Sequence, residues 1–176
     1  AVDQEANLYV ADGGQNWLYS IDAETFEVKA QGEALFPIDK VNFISLATDH
    51  FAAKYSTYIL PSSNEMPLYG VNMSTKAVEQ IAGDFLSGTT KAKRFVVDEK
   101  INSAYVLDEK GDVYLINTKD NKRTLYAKGP IGDIAYDPVD SILYLYYTAT
   151  RSIEMIDVFT GDFVEVTRSK SDPLLQ

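Results

Sequence analysis

The sequence contains no cysteine, only one histidine, and 16 basic residues against 26 acidic ones, which gives a formal net charge of −10. Without cysteine there is no disulfide scaffold and no thiolate chemistry. No apolar run approaches the ~20 residues that a membrane-spanning helix needs. The acidic balance argues against binding to a phosphate backbone, so nucleic acid is not an expected partner.

Motifs for catalysis are also scarce. His50 is the only histidine, so a histidine-cluster metal site cannot form. The chain contains no G-x-S-x-G elbow, no Walker loop and no G-x-G-x-x-G sequence. What remains is a chain of 176 residues, long enough to bury a core, for which one domain over residues 1–176 is expected.

Aromatic residues are abundant: the chain has 12 Tyr, 8 Phe and one Trp. Aromatic and β-branched residues favour strands, and the apolar residues alternate over short stretches without a sustained helical period. Gly and Pro fall between these stretches, as turn formers do. The composition therefore predicts an all-β fold.

An internal repeat organises the chain. Four segments each begin with a residue followed by Tyr and close on Asp or Asn 12 to 14 residues after that Tyr. The four tyrosines, Tyr9, Tyr58, Tyr105 and Tyr144, are expected to face neighbouring repeats as core residues. The segments are 8–22, 57–72, 104–117 and 143–157.

Each repeat extends on both sides into a meander of four strands. An apolar run and an Asp precede the segment, and a turn and a further strand follow it, at 25–30, 77–82, 123–127 and 162–167. The tyrosines are 39 to 49 residues apart, which matches the period of a propeller blade. The sequence therefore predicts a β-propeller with four four-stranded antiparallel blades. The repeats cover about 1–31, 41–83, 94–128 and 133–168.

The two termini each resemble part of a first strand. Residues 169–176 resemble its beginning and residues 1–2 its end, and the closing step from Tyr144 to Tyr9 would be 41 residues. A ring could therefore close through a first strand of blade 1 that both termini share. Two alternatives stay open: a piece of a longer propeller, or two chains that complete each other. The expected state is thus a monomer or a ring-completing homodimer.

Segments 7–28 and 135–161 resemble the repeats of YVTN, NHL and YWTD propellers. They share an Asp or Asp-Pro turn, an aromatic strand, and a strand that ends in Asp or Asn before a turn. The YWTD repeats have Trp after the Tyr, whereas this chain has other residues there. Those residues are Val10, Ile59, Val106 and Leu145. The resemblance implies the fold and leaves the subfamily and the ligand open.

In such a propeller, several loop residues would share one face. An aromatic side chain flanked by cations and amides on loops suits a binding surface, because rigid scaffolds carry function on loops. The alternative is a solvated rim, with the Trp packed between blades. The candidate ligand-binding residues are Asn16, Trp17, Lys93, Arg94 and Arg151.

Four aspartates occupy the same position in the four repeats, namely Asp3, Asp49, Asp98 and Asp137. Carboxylates around a channel mouth could hold Ca²⁺, which prefers oxygen ligands. Each aspartate also begins a turn, where its side chain can accept hydrogen bonds from backbone N–H groups. The sequence therefore leaves two alternatives, no cofactor or Ca²⁺.

The sequence favours a non-enzymatic recognition module that binds protein or glycan through one loop face. One alternative is a hydrolase or lactonase-like enzyme, of the kind some propellers house, with a metal in its channel. Another is a structural module that completes a larger propeller or assembly. Because the sequence has no initiator Met, an extracellular or periplasmic location is expected.

Overall fold

The computed structural model confirms an all-β fold: every regular element in the residues that it describes is a strand. In these residues no helix has the length and hydrophobicity needed to cross a bilayer. The structure describes residues 7–12, 17–32, 43–47, 55, 57–61, 68–72, 74–75, 77–82, 92–98, 100–120 and 122–166.

The first half of the described chain forms two antiparallel sheets in which the strand order follows the chain order. Sheet 1 has three strands and sheet 2 has four. The strands of sheet 1 are β1 (Asn7–Asp12), β2 (Trp17–Asp22) and β3 (Val28–Gly32), and those of sheet 2 are β4 (Phe43–Ala47), β5 (Thr57–Pro61), β6 (Leu68–Asn72) and β7 (Ala77–Ala82).

The second half forms two further sheets of the same kind, each with four strands. Sheet 3 consists of β8 (Ala92–Asp98), β9 (Ser103–Asp108), β10 (Val113–Asn117) and β11 (Arg123–Ala127), and sheet 4 consists of β12 (Ile131–Asp137), β13 (Ile142–Tyr147), β14 (Ser152–Asp157) and β15 (Phe163–Val166). The shared first strand predicted for residues 1–2 and 169–176 lies outside the described residues.

The Asp or Asn that closes each repeat shapes the turn that follows it. Asp22 Oδ1 accepts hydrogen bonds from the backbone N–H groups of Glu24 and Thr25 at 2.8 and 2.9 Å. The corresponding side chains in the other repeats accept the same kind of bond. Asn72 accepts from Thr75, Asn117 from Lys119, and Asp157 from Phe159 and Thr160, at 2.8 to 3.1 Å.

The sheets pack face to face in chain order, and the first strands β4, β8 and β12 contact one another in turn. One apolar cluster joins sheets 2 and 3, with Tyr58 and Leu68 against Phe95 and Val106. A second cluster joins sheets 3 and 4. It contains Tyr105, Leu107 and Val113 from sheet 3 and Ile134, Leu143 and Leu145 from sheet 4. Sheet 3 is therefore covered on both faces.

Three of the four repeated tyrosines are core residues, as predicted. Tyr9, Tyr58 and Tyr105 are buried, whereas Tyr144 is half-buried. The rings of Tyr105 and Tyr126 meet edge to face, with centroids 5.1 Å apart. The rings of Tyr58 and Tyr105 each lie on the face that their sheet presents to the next sheet, so the repeat in sequence is a repeat in packing.

Candidate functional site

The turns that precede β10 and β14 lie at one end of sheets 3 and 4. We call this surface the β9–β10 face; it comprises residues 108–112, 128–130 and 148–151, with the starts of β8 and β12. Backbone hydrogen bonds connect its parts: the N–H of Ile131 donates to the carbonyls of Gly111 and Gly129, and the N–H of Thr148 donates to that of Pro130. The loops are thus held to one another.

Asp108 determines the conformation of the β9–β10 turn. Its side chain is buried, and Oδ1 accepts hydrogen bonds from the N–H groups of Lys110 at 2.9 Å and Asp112 at 2.8 Å. Gly111 has φ +86°, a conformation that favours glycine, and a Cβ there would lie 2.6 Å from the Gly129 carbonyl oxygen. The turn therefore presents a fixed backbone to solvent.

Two of the predicted ligand-binding cations lie at the start of β8 and connect sheet 3 to sheet 4. The ammonium of Lys93 donates a hydrogen bond to the carbonyl of Gly132. The guanidinium of Arg94 forms an ion pair with the carboxylate of Asp133, with an Nε–Oδ1 distance of 3.0 Å. Both partners of the ion pair are about half exposed, so its contribution to stability is about 0–1 kcal/mol.

Arg151 lies in the β13–β14 turn, is exposed, and has φ +56°. The hydroxyls of Thr150 and Ser152 are hydrogen-bonded across it at 2.7 Å. Lys128, in the connection before β12, is also exposed. Arg151 and Lys128 therefore extend the cationic character of this face beyond Lys93 and Arg94.

The other two predicted binding residues belong to sheet 1. Trp17 is the first residue of β2 and pairs with Asp12, at the position that corresponds to the β9–β10 face. Its side chain lies outside the described part of the structure, as does the whole of Asn16. The structure therefore brings Lys93, Arg94 and Arg151 to one end of sheets 3 and 4, and the binding role of all five residues stays a prediction.

A tyrosine beside this face has an altered acidity. The hydroxyl of Tyr147 donates to Glu154 Oε2 at 2.9 Å. Burial, together with the neighbouring carboxylate, raises the pKa of Tyr147 to about 12. The phenol therefore stays protonated as a hydrogen-bond donor throughout the physiological pH range.

The predicted metal ligands that the structure describes, Asp98 and Asp137, begin turns at the opposite end of the sheets. Asp98 accepts hydrogen bonds from the N–H of Lys100 and from the Tyr136 hydroxyl. Asp137 Oδ1 accepts from the N–H of Val139 at 2.8 Å and from that of Asp140 at 3.3 Å. These carboxylates thus have the turn contacts that the sequence offered as the alternative to a metal.

The described residues do not assemble a calcium site. Ca²⁺ takes 6–8 oxygen ligands, and the described part of the chain has no group of three or more His, Cys, Asp or Glu side chains placed to share an ion. Asp3 and Asp49 lie outside the described residues. The fourfold carboxylate site therefore stays a prediction.

A cavity of about 320 Å³ lies between sheets 2 and 3, and no motif in the sequence indicated it. Among the described residues, the Tyr58 hydroxyl is buried there without a hydrogen-bond partner. Tyr55 lines the cavity, and its ring lies against Gly70, where no Cβ could fit. Tyr55 and Gly70 are separated in the sequence, so their contact could not be read from a local pattern. The glycine at position 70 was the one sequence feature that could have indicated a close approach there. The lining residues are Tyr55, Tyr58, Ile81, Val97, Asn102, Thr118 and Lys119.

No family model and no curated protein matched the chain. Solved structures did match. The Cps50 (Swd1) β-propeller domain of Myceliophteria thermophila superposes with a TM-score of 0.64 at 12% identity over 96% of this chain. The sheets are blades of a β-propeller. This confirms the predicted fold class, while the YVTN, NHL or YWTD type stays a prediction.

Two further solved structures are similar to the chain. A structure of the nidogen/laminin complex gives a TM-score of 0.67 at 16% identity over 93% of this chain. The N-terminal domain of Nup159 gives 0.55 at 12% identity over 99% of this chain. The chain spans about half the length of these proteins: 54% of Cps50, 62% of the chain matched in the nidogen/laminin complex and 46% of the Nup159 domain.

Proposed function

We propose that the chain is a non-enzymatic recognition module that binds a protein partner through the β9–β10 face. The observation that carries the proposal is the exposure of Arg151 and Lys128 on connections whose backbones are held by hydrogen bonds. Loops that are already ordered lose little conformational entropy when they bind, which favours affinity.

The charge of this face suggests the kind of partner. Five cations and four carboxylates lie on it, and one of the carboxylates, that of Asp108, is buried. The face is thus close to neutral or slightly basic in a chain whose net charge is −10. We therefore propose a partner segment that carries acidic side chains. The charged residues are Lys93, Arg94, Lys110, Lys128, Arg151, Asp108, Glu109, Asp112 and Asp133.

The structural comparisons support a protein partner. The nidogen/laminin structure is a complex of two proteins by its title, so a propeller-like chain occurs there within a protein assembly. Within this proposal Trp17 and Asn16 extend the binding surface onto sheet 1, and the location is extracellular or periplasmic. A glycan ligand is the competing possibility, which the test must separate.

Site-specific photo-crosslinking tests this proposal. A photo-reactive amino acid replaces Arg151 in one variant and, as a matched control, Lys122, an exposed cation in the β10–β11 turn at the other end of sheet 3. In an extract of the source cells combined with their concentrated culture medium, we expect a protein adduct at position 151 and none at position 122. Excess unlabelled wild-type chain should abolish the adduct.

An unlabelled variant of the chain tests whether the adduct requires the cations of the β9–β10 face. The Arg151→Glu/Lys128→Glu chain, used as competitor, should not abolish the adduct at the concentration at which the wild-type chain abolishes it. Equal adducts at positions 151 and 122, or equal competition by the two chains, would overturn the proposed face. A glycan array on which wild type binds and the double variant does not, with no protein adduct, would replace the protein partner with a glycan.

A further inference from the structure

The burial of equivalent residues differs sharply between the last sheet and the others. Leu18, Leu68 and Val113 occupy the same repeat position in sheets 1, 2 and 3, and each is fully buried, with 0% exposure. Ile153 occupies that position in sheet 4 and is 40% exposed. The same holds one strand away, where Leu107 is buried in sheet 3 and its equivalent Tyr146 is 38% exposed.

These exposed residues belong to one largely apolar surface. We call it the end face of sheet 4. Tyr146 pairs with Ile153 across β13 and β14, and Ile153 pairs with Val166 on β15, so the three side chains lie on the same face. Directly opposed residues of neighbouring strands share a face of the sheet. The face contains Ala135, Tyr144, Tyr146, Ile153, Met155, Val164 and Val166, together with Asp133, which lies opposite Tyr146 on β12.

Sheet 1 shows the complementary pattern on its opposite side. Ile59, Val106 and Leu145 occupy one repeat position in sheets 2, 3 and 4, and each is fully buried. Val10 occupies that position in sheet 1 and is 39% exposed. We call the surface around it the end face of sheet 1. It contains Leu8, Val10, Tyr19, Ile21 and Val28.

The packing inside the chain shows what fits each end face. Val113 and Leu107 of sheet 3 pack against Leu143 and Leu145 of sheet 4. Val113 is equivalent to Ile153, and Leu145 is equivalent to Val10. The end face of sheet 4 is therefore the kind of surface that packs against the end face of sheet 1, yet both are partly exposed.

We propose that two copies of the chain associate around a two-fold axis, so that the end face of sheet 4 in each copy packs against the end face of sheet 1 in the other. The assembly is a closed ring of eight sheets, within the 4–8 blades typical of propellers. One two-fold axis covers all four end faces at once, and two-fold dimers are the commonest oligomers. The proposal does not depend on the function of the β9–β10 face.

The chemistry of the end faces supports a protein–protein contact between like chains. Uncharged residues predominate on both faces, although 24% of the chain is charged, and the charged residues that pair onto them include the carboxylates of Asp133, opposite Tyr146, and of Asp12, at the end of β1. Tyrosine and methionine are present, and interface cores are enriched in both and depleted of charge. A second copy supplies both complementary surfaces with the packing that the chain already uses between its own sheets.

Thiol crosslinking tests the arrangement against a background without native cysteine. A chain with Val10→Cys and Ile153→Cys is treated with a short bismaleimide and separated under denaturing conditions. We expect a covalent dimer in which position 10 of one copy is linked to position 153 of the other. An equimolar mixture of the two single variants should also give a linked dimer, and each single variant alone should not.

A matched control uses Val139→Cys with Ile153→Cys, because Val139 is exposed in the β12–β13 turn, outside both end faces. This chain should stay at the mass of one copy. A monomer with an internal link between positions 10 and 153 would overturn the proposal in favour of closure within one chain. A ladder of higher oligomers would overturn the closed ring, and the absence of any link would overturn the interface.

Discussion

Two tyrosines, the buried Tyr58 and the half-buried Tyr136, differ in the contacts of their hydroxyl groups. The Tyr136 hydroxyl donates to the carboxylate of Asp98, which is 2% exposed. The Tyr58 hydroxyl has no hydrogen-bond partner in the described residues. A buried polar group without a partner is costly, whereas a phenol that bonds a buried carboxylate is stabilising.

Replacement of each tyrosine by phenylalanine should therefore affect the free energy of unfolding differently. Tyr136→Phe removes a donor from a buried carboxylate and should lower the free energy of unfolding by about 1–3 kcal/mol. Tyr58→Phe removes a hydroxyl that has no partner and should leave the free energy of unfolding unchanged or raise it by up to about 1 kcal/mol. Urea unfolding of both variants measures the difference, and equal losses would contradict this description of the two hydroxyls.

Several tyrosines also predict how stability depends on alkaline pH. Burial raises the pKa of Tyr105, Tyr126 and Tyr136, and burial with Glu154 raises that of Tyr147 to about 12. In the unfolded chain these phenols ionise near pH ~10. Above that pH the unfolded state binds fewer protons than the folded state, so the free energy of unfolding should fall as pH rises from about 10 to 12.

Tyrosinate absorbance followed together with circular dichroism measures this effect. We expect part of the tyrosinate signal to appear only with loss of the β-sheet signal, because the buried phenols ionise when the chain unfolds. Complete ionisation of the tyrosines near pH ~10 with the sheet signal intact would contradict the prediction.

At the scale of single elements, the strands were largely predictable from the sequence. The predicted strands at 77–82 and 123–127 coincide with β7 and β11, because alternation and turn residues are local signals. The strand predicted at 25–30 instead begins at Val28 as β3, since Asp22 and Thr25 hold the preceding residues in a turn. Local pattern thus located the elements, and side-chain capping moved their ends.

The candidate site was less predictable, because its contacts join distant parts of the chain. Lys93 and Arg94 could be recognised as loop cations, but their partners Gly132 and Asp133 lie on another sheet. Sequence alone does not show whether a cation meets solvent or a neighbouring carbonyl. Arg151 and Lys128 were recognisable by the same reasoning, and the structure leaves both exposed.

The two turn glycines Gly111 and Gly161 form a matched pair for testing the β9–β10 turn. Both have positive φ, but a Cβ at Gly111 would meet the Gly129 carbonyl at 2.6 Å, whereas one at Gly161 would meet nothing within 4 Å. Gly161→Ala should cost about 1–2 kcal/mol from backbone strain alone. Gly111→Ala should cost more, because the turn must also move away from Gly129.

Thermal or urea unfolding of both glycine variants gives the comparison. A photo-crosslinking experiment at position 151 in the Gly111→Ala background would add a functional readout, since a displaced turn should reduce the adduct. Equal destabilisation by the two substitutions would show that the contact between the β9–β10 turn and Gly129 does not constrain the face.

At the scale of the whole molecule, the repeat predicted the number and order of the sheets. Each repeat packs against its neighbour in the same way, so the tyrosine recurs at a regular spacing. That spacing makes the repeat visible in the sequence. The exposure of the end faces is not visible there. Val10 resembles Ile59, Val106 and Leu145 in sequence, and it differs from them only in what covers it.

Solution mass tests the ring most directly. Sedimentation equilibrium of the unmodified chain over a range of micromolar concentrations should show a species of twice the chain's 19.6 kDa. Ile153→Glu, which introduces a charge into the end face of sheet 4, should shift that species to the mass of one chain, and the matched change Val139→Glu should not. A wild-type chain that sediments at 19.6 kDa at every concentration would contradict a ring closed by two copies.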